Sequence, residues 1–186
     1  MLILRYDTDI YDFQGCARRG LGVSDLTRLH AEPVPVADWP RRTRELWWSS
    51  RLYATVTDNM QELYLRFIHN VLREHTGLPV SIQKRVCFRV QLPATCAHEP
   101  TYHRDSTWGQ QPQTLNVWIP YVPVAGTNAL WVETAPGRSD HRPIDLDYGE
   151  ALIFAGGPMS HGAVTNTGDS TRVSGDLRYL PSVAMP

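Results

Sequence analysis

Tyr102-His103-Arg104-Asp105-Ser106 is the stretch on which the reading of this chain turns. On an extended strand alternate side chains share a face, so His103 and Asp105 project together and Arg104 turns away. An imidazole beside a carboxylate is half of a metal site. Completing it needs one more ligand from elsewhere, and therefore a fold whose strands return on one another.

The flanking sequence supplies such strands. Segments 80–92, 114–122, 129–133, 150–154 and 172–180 are short, rich in β-formers and separated by Gly, Pro, Asn and Asp turns. Short strands with turn signals between them, and no alternation with helices, indicate an all-β sandwich or barrel. Its open end can hold a ligand between inward side chains.

The part before residue 80 reads differently. Residues 1–35 are expected to be irregular, with one short strand over 2–6, because Gly15, Gly20 and Gly22 interrupt any period. Their role is not readable from the sequence; a cover over one end of the fold is one option. Asp38 is expected to cap a helix with Pro40 in its first turn and Leu46, Trp47 and Trp48 as apolar surface. Asp58 and Gln61 resemble a capping box for a second helix, whose stripe is Leu63, Tyr64, Phe67, Ile68, Val71 and Leu72. Gly77 with Pro79 ends it. The expected organisation is one domain over 1–186, with an irregular segment and helices over 1–80 and a β core over 81–186.

Composition narrows the function. A formal net charge of -1 offers no basic field for nucleic acid and no polybasic patch for a membrane. The N-terminus meets charge at Arg5 and Asp7, and no later apolar run is long enough to span a bilayer. Three cysteines, Cys16, Cys87 and Cys96, without a CxxC spacing argue against a disulfide framework or a zinc ribbon, and a reducing cytoplasm is the expected compartment. His69 and His75 are read as helix-surface histidines. His98 and His141 are read as loop residues rather than ligands. No heptad or apolar patch sets an oligomeric state.

His161, in Gly156-Gly157-Pro158-Met159-Ser160-His161, is the natural third ligand for His103 and Asp105. Two histidines and one carboxylate form the facial set of non-haem Fe(II) oxygenases, which leaves coordination positions open. Eleven residues on, Arg172 and Ser174 share a strand face with Asp176 and Arg178. Arginines facing a barrel interior need anionic partners. Asp176 can take one, leaving the other for a ligand carboxylate.

His103-Arg104-Asp105, His161 and Arg172 together resemble the Fe(II)/2-oxoglutarate-dependent dioxygenases. Leu115-Asn116-Val117-Trp118-Ile119-Pro120, the stretch from Thr127 to Glu133, and Tyr148-Gly149-Glu150 follow the order of the phytanoyl-CoA hydroxylase-like superfamily. Within it, His103-Arg104-Asp105-Ser106 with Arg172-Val173-Ser174 and then Asp176 and Arg178 resembles the branch of the streptomycin-biosynthesis dioxygenase-like protein. The resemblance runs over residues 82–181. It implies a mainly β chain with flanking helices and a double-stranded β-helix (jelly-roll, cupin-like) core. It implies Fe(II) on His103, Asp105 and His161, with 2-oxoglutarate and O2 as cosubstrates. Arg172, assisted by Ser174 and Asn116, would bind 2-oxoglutarate. Asp105 argues against halogenation, since related halogenases lack that carboxylate. The implied reaction is hydroxylation of a small polar metabolite such as an amino acid, sugar or specialised-metabolite intermediate, releasing succinate and CO2. Arg89, Gln91, Trp118, Trp131, Glu133 and Arg178 are the substrate-side candidates. Two other readings compete: a cupin-like isomerase, epimerase or lyase without 2-oxoglutarate, and a non-catalytic jelly-roll binding module. Arg172 and Ser174 count against the first, and the three convergent ligands against the second.

Overall fold

The structure, a computed structural model, describes residues 1–35, 38–95 and 102–182. Cys96 and His98 lie outside the described residues. In chain order the elements are β1 (Leu2–Arg5), α1 (Phe13–Leu21), α2 (Arg41–Phe67), a π-helical turn (Ile68–Leu72) and α3 (Arg73–Thr76). They continue with β2 (Pro79–Ile82), β3 (Cys87–Gln91), β4 (Tyr102–His103), β5 (Leu115–Pro120) and β6 (Leu130–Val132). The last four are β7 (Arg142–Ile144), β8 (Glu150–Phe154), β9 (His161–Gly162) and β10 (Arg172–Pro181).

Two antiparallel sheets form a jelly-roll. The larger runs β1-β8-β5-β10-β2, with β3 also paired to β10, and the smaller runs β4-β9-β6-β7. The ten-residue β10 organises the larger sheet. Its first half pairs with β3, from Arg172 opposite Gln91 to Asp176 opposite Cys87. Its other edge pairs with β5, placing Arg178 opposite Asn116. Alternation divides its side chains. Val173, Leu177 and Tyr179 pack in the core, and Arg172, Asp176 and Arg178 line the cavity between the sheets.

One long helix covers the larger sheet, where the sequence led us to expect two. Pro40 stands at the cap position of α2 and no side chain caps that end, while Asp58 is exposed in mid-helix and caps nothing. The buried stripe Trp48, Leu52, Val56, Met60, Tyr64 and Phe67 runs through the expected break at near-constant spacing. Burying each such side chain is worth about 1.5–3 kcal/mol, more than a surface Asp can cost by preferring a cap. Gly77 does end the helical run, at φ 70. Gly175 sets how closely α2 approaches β10. A Cβ there would lie 2.1 Å from the Tyr121 hydroxyl and 2.8 Å from that of Tyr64. Without one, the Tyr64 hydroxyl donates to the Gly175 carbonyl at 2.7 Å.

The N-terminal segment is also more regular than expected. Asp12 caps α1 by accepting from the Gly15 N–H at 2.7 Å, and Gly22 closes it in the left-handed conformation. Gly20 faces α2, where a Cβ would meet Val56 at 2.1 Å. These glycines are therefore cap and contact residues of a helix. Tyr6, Tyr11, Phe13 and Phe67 meet edge to face at 5.5–6.3 Å, which ties β1 and α1 to α2. Residues 80–92, expected as one strand, are two, because Gln83–Val86 turns the chain between β2 and β3. No helix among the described residues is long and apolar enough to cross a membrane.

Candidate metal centre

The β4–β9 pair places His103 directly opposite His161. Arg104 stays extended, so Asp105 keeps the face of His103 although the strand has ended and a 3-10 turn begins. The Asp105 N–H donates to the Gly156 carbonyl at 2.9 Å, anchoring the carboxylate to the connection between β8 and β9. Asp105 Oδ1 then faces His103 Nε2 at 3.6 Å and His161 Nε2 at 3.8 Å. One ligand atom from each of the three residues lies within 4.8 Å of the others.

This donor set fits a metal ion. His161 is buried, and its Nδ1 donates to the Met159 carbonyl at 2.9 Å, which leaves the Nε2 lone pair directed at Asp105. Burial pushes the His161 pKa down, only partly offset by Met159 and Asp105, so the ring stays in the neutral form that binds metals. Burial pushes the Asp105 carboxyl up, but the His103 ring at 3.6 Å, the Arg178 hydrogen bonds and the Arg178 charge outweigh it. The group is held well below the usual carboxylate range. Asp105 Oδ2 accepts from Asn116 Nδ2 and from Arg178 Nε, each at 2.8 Å.

Beside the three ligands lies a cavity of about 470 Å³, within the usual range for small-molecule sites. Arg89, Gln91, Asn116, Trp118, Arg172 and Arg178 line it, together with Phe88 and Val90 of β3. Arg172 is 6% exposed. Its Nη1 donates to the Asn128 and Ala129 carbonyls at 3.1 and 3.0 Å. Carbonyls satisfy hydrogen bonds without neutralising charge, and burial pushes the Arg172 pKa down to about 10. Arg172 Nε and Ser174 Oγ are buried without a hydrogen-bond partner among the described residues. A carboxylate entering here would meet an uncompensated guanidinium with a hydroxyl beside it.

Several expected roles change. Arg178 grips Asp105 with two nitrogens, Nε on Oδ2 at 2.8 Å and Nη2 on Oδ1 at 3.1 Å, so it is not left for a substrate. Asn116, which lines the cavity, also donates to Asp105. Trp131 and Glu133 do not line the cavity. The Trp131 indole donates to the Gly126 carbonyl at 3.0 Å. Fully buried Glu133 accepts from the backbone N–H groups of Ser160 at 2.6 Å and Ser139 at 3.0 Å, and pairs with Arg104 at 3.1 Å. Glu133 therefore ties β6 to the β8–β9 connection that leads to His161, and Arg104 gains a task. His141 stacks on Tyr102 with ring centroids 3.7 Å apart and lies 2.9 Å from Ser160 Oγ, bracing the same connection.

Burial would raise the Glu133 pKa, but its backbone donors and Arg104 bring it down to about 2. A depressed pKa stabilises the folded state above the unfolded value, near 4.5, and loses that contribution as pH falls towards 2. Wild type should therefore be more stable than Glu133→Gln at neutral pH, and the gap in urea midpoints should close over that window. A gap independent of pH would remove the Glu133 charge from this role.

The sequence reading missed one wall. Glu45, Leu46, Ser49 and Tyr53 line the cavity from α2, and Trp108 from the turn after Asp105. Glu45, Ser49 and Tyr53 do recur at helical spacing, so one signal was present. Glu45 is structural: it accepts from the Leu92 N–H at 2.8 Å and from Thr95 Oγ at 2.6 Å, pinning the end of β3. Leu46, Tyr53 and Trp108 are exposed, with Trp108 at 69%, and form an apolar rim.

A double-stranded β-helix presenting two histidines and a carboxylate to one cavity defines the class of non-haem metal proteins built on this fold. No family model matches the sequence. The streptomycin biosynthesis protein StrG of Streptomyces griseus is 32% identical over 179 residues, which cover 96% of this chain and 83% of StrG. The chain belongs to the same family as StrG. Among solved structures, EctD from S. alaskensis with 2-oxoglutarate and 5-hydroxyectoine is similar over 97% of this chain and 71% of its own, at TM-score 0.63 and 16% identity. HygX from Streptomyces hygroscopicus with nickel and 2-oxoglutarate is similar over 97% and 82%, at TM-score 0.53 and 8% identity. At such identities the likeness is one of fold.

Proposed function

We propose that this chain is an Fe(II)/2-oxoglutarate-dependent oxygenase that hydroxylates a small polar metabolite in a specialised biosynthetic pathway. We place it in the phytanoyl-CoA hydroxylase-like superfamily. One observation carries the reading. The cavity that receives His103 and His161 also receives Arg172, a buried guanidinium with an unpartnered Nε. An isomerase or lyase working without 2-oxoglutarate would have no use for this carboxylate anchor.

His103 Nε2, His161 Nε2 and Asp105 Oδ1 would hold the metal. Arg172 and Ser174 would take the far carboxylate of 2-oxoglutarate. Fe(II) with 2-oxoglutarate and O2 supplies the oxidising power for an unactivated C–H bond, with succinate and CO2 as co-products. The chain's own work is placement. Met159 orients His161, Asn116 and Arg178 orient Asp105, and the neighbouring apolar walls Leu130 and Phe154 limit water. Arg89 and Gln91 give the substrate polar partners, and Leu46, Tyr53 and Trp108 flank its entrance. The family relation to a streptomycin biosynthesis protein supports a specialised metabolite as substrate.

The test begins with apo-protein reconstituted anaerobically with Fe(II). Adding 2-oxoglutarate should produce a weak visible charge-transfer band, and admitting O2 should release succinate. Absence of both would overturn the proposal.

A further inference from the structure

Asp105 makes more hydrogen bonds than holding a metal requires. A carboxylate oxygen has about two acceptor positions. Those of Oδ2 are filled by Asn116 Nδ2 and Arg178 Nε. Oδ1 accepts Arg178 Nη2 at 3.1 Å, and its remaining side faces the two histidines. The Arg178 fork is itself braced. Asp176 Oδ2 stands 3.6 Å from its Nη1, and Nη1 donates to Gln83 Oε1 at 3.4 Å. Register fixes the arrangement, because Asn116 on β5 lies opposite Arg178 on β10.

We infer that Arg178 is a positioning residue that keeps Asp105 a one-oxygen metal ligand and, by its charge, makes cation binding weaker than these three ligands alone would give. The inference rests on the reading of His103, Asp105 and His161 as metal ligands. Two effects of Arg178 oppose each other. Orienting the carboxylate favours the metal, whereas a guanidinium in contact with a metal ligand repels a divalent ion. The second effect is larger. Asn116 still orients Oδ2 when Arg178 is removed, whereas the Arg178 charge, only partly offset by Asp176 at 3.6 Å, opposes a divalent ion in a buried site. The return is an open coordination position. With Oδ2 capped, Asp105 cannot chelate through both oxygens, and the position that a second oxygen would take stays available.

Arg178→Gln removes the charge and keeps a donor. Cation affinity is measured anaerobically with Co(II) or Mn(II) against a competing chelator, and exchangeable water on Mn(II) by water-proton relaxation. The dissociation constant should fall roughly tenfold or more, the scale of one nearby charge at an effective dielectric near 20. Relaxation should show fewer exchangeable waters, and the apo-protein should melt lower. Arg178→Lys restores the charge without the fork, and its affinity should return to near the wild-type value. An unchanged or weaker affinity in Arg178→Gln overturns the inference, as does Arg178→Lys binding as tightly as Arg178→Gln. Should Arg178→Gln not fold, Arg178→Met carries the same expectation. His103→Ala separates the two levels of the argument: if it binds the cation as wild type does, the metal reading itself fails and takes this inference with it.

Discussion

Replacing His103 by alanine should leave a folded protein that no longer gains stability from metal. Of the three ligands this is the one to remove. The His103 side chain is 29% exposed and its Nδ1 has no hydrogen-bond partner among the described residues, so truncation leaves little cavity and no lost bond. His161 is a poorer choice. It is 7% exposed, donates to Met159 and packs edge-on against Phe154 at 4.9 Å, so its loss combines metal and packing effects. At a metal concentration a hundred times the dissociation constant, binding adds about 2.7 kcal/mol to wild type. For a chain of this size that raises the melting temperature by roughly 5–10 °C. His103→Ala should lose nearly all of that rise and melt near the apo wild type. A full rise in the variant would take His103 out of the site.

The second large effect concerns Arg172→Ala. Cosubstrate affinity should collapse while metal binding persists, because Arg172 makes no hydrogen bond to His103, Asp105 or His161. Truncating one partner of a buried charge pair costs about 2–5 kcal/mol, or roughly thirty- to several-thousand-fold in affinity. Arg172→Lys should recover only part of it, since an ammonium cannot offer the planar fork that a carboxylate accepts. The change in folding stability should be small. Releasing an uncompensated buried charge offsets the orphaned Asn128 and Ala129 carbonyls, which cost about 1–3 kcal/mol when left unpaired. Titration of the metal-loaded protein with 2-oxoglutarate, followed by the charge-transfer band, measures the loss. An unaltered affinity would remove Arg172 from its assigned place.

What could be read from the sequence had a periodicity to carry it. Period two placed His103 with Asp105 and aligned Arg172, Ser174, Asp176 and Arg178, and the structure keeps both alignments. What could not be read depended on partners far apart in the chain. Glu133 looked like a polar residue on a cavity strand, but two N–H groups from other segments and Arg104 claim it. Arg178 looked available to a ligand, and a contact 73 residues away commits it to Asp105. Glycines misled for the opposite reason. Gly15 and Gly20 suggested irregular chain because composition does not distinguish a glycine that breaks a helix from one that lets Asp12 or Val56 come close. The helical wall was missed because Trp47 and Trp48 drew attention to the apolar stripe, while Ser49 and Tyr53 face the cavity.

β10 has a consequence for which sequences this fold can accept. Arg172, Ser174, Asp176 and Arg178 stand at every second position on one face, the last of them gripping Asp105, and Val173, Gly175, Leu177 and Tyr179 alternate with them. Inserting or deleting one residue between Arg172 and Arg178 would exchange the two sets. Charged groups would then enter the layer beneath α2, and Tyr179 on deletion, or Leu177 on insertion, would replace the guanidinium on Asp105. Its length between those two arginines behaves as an invariant ruler. Changes in chain length among relatives should therefore fall in the turns around it.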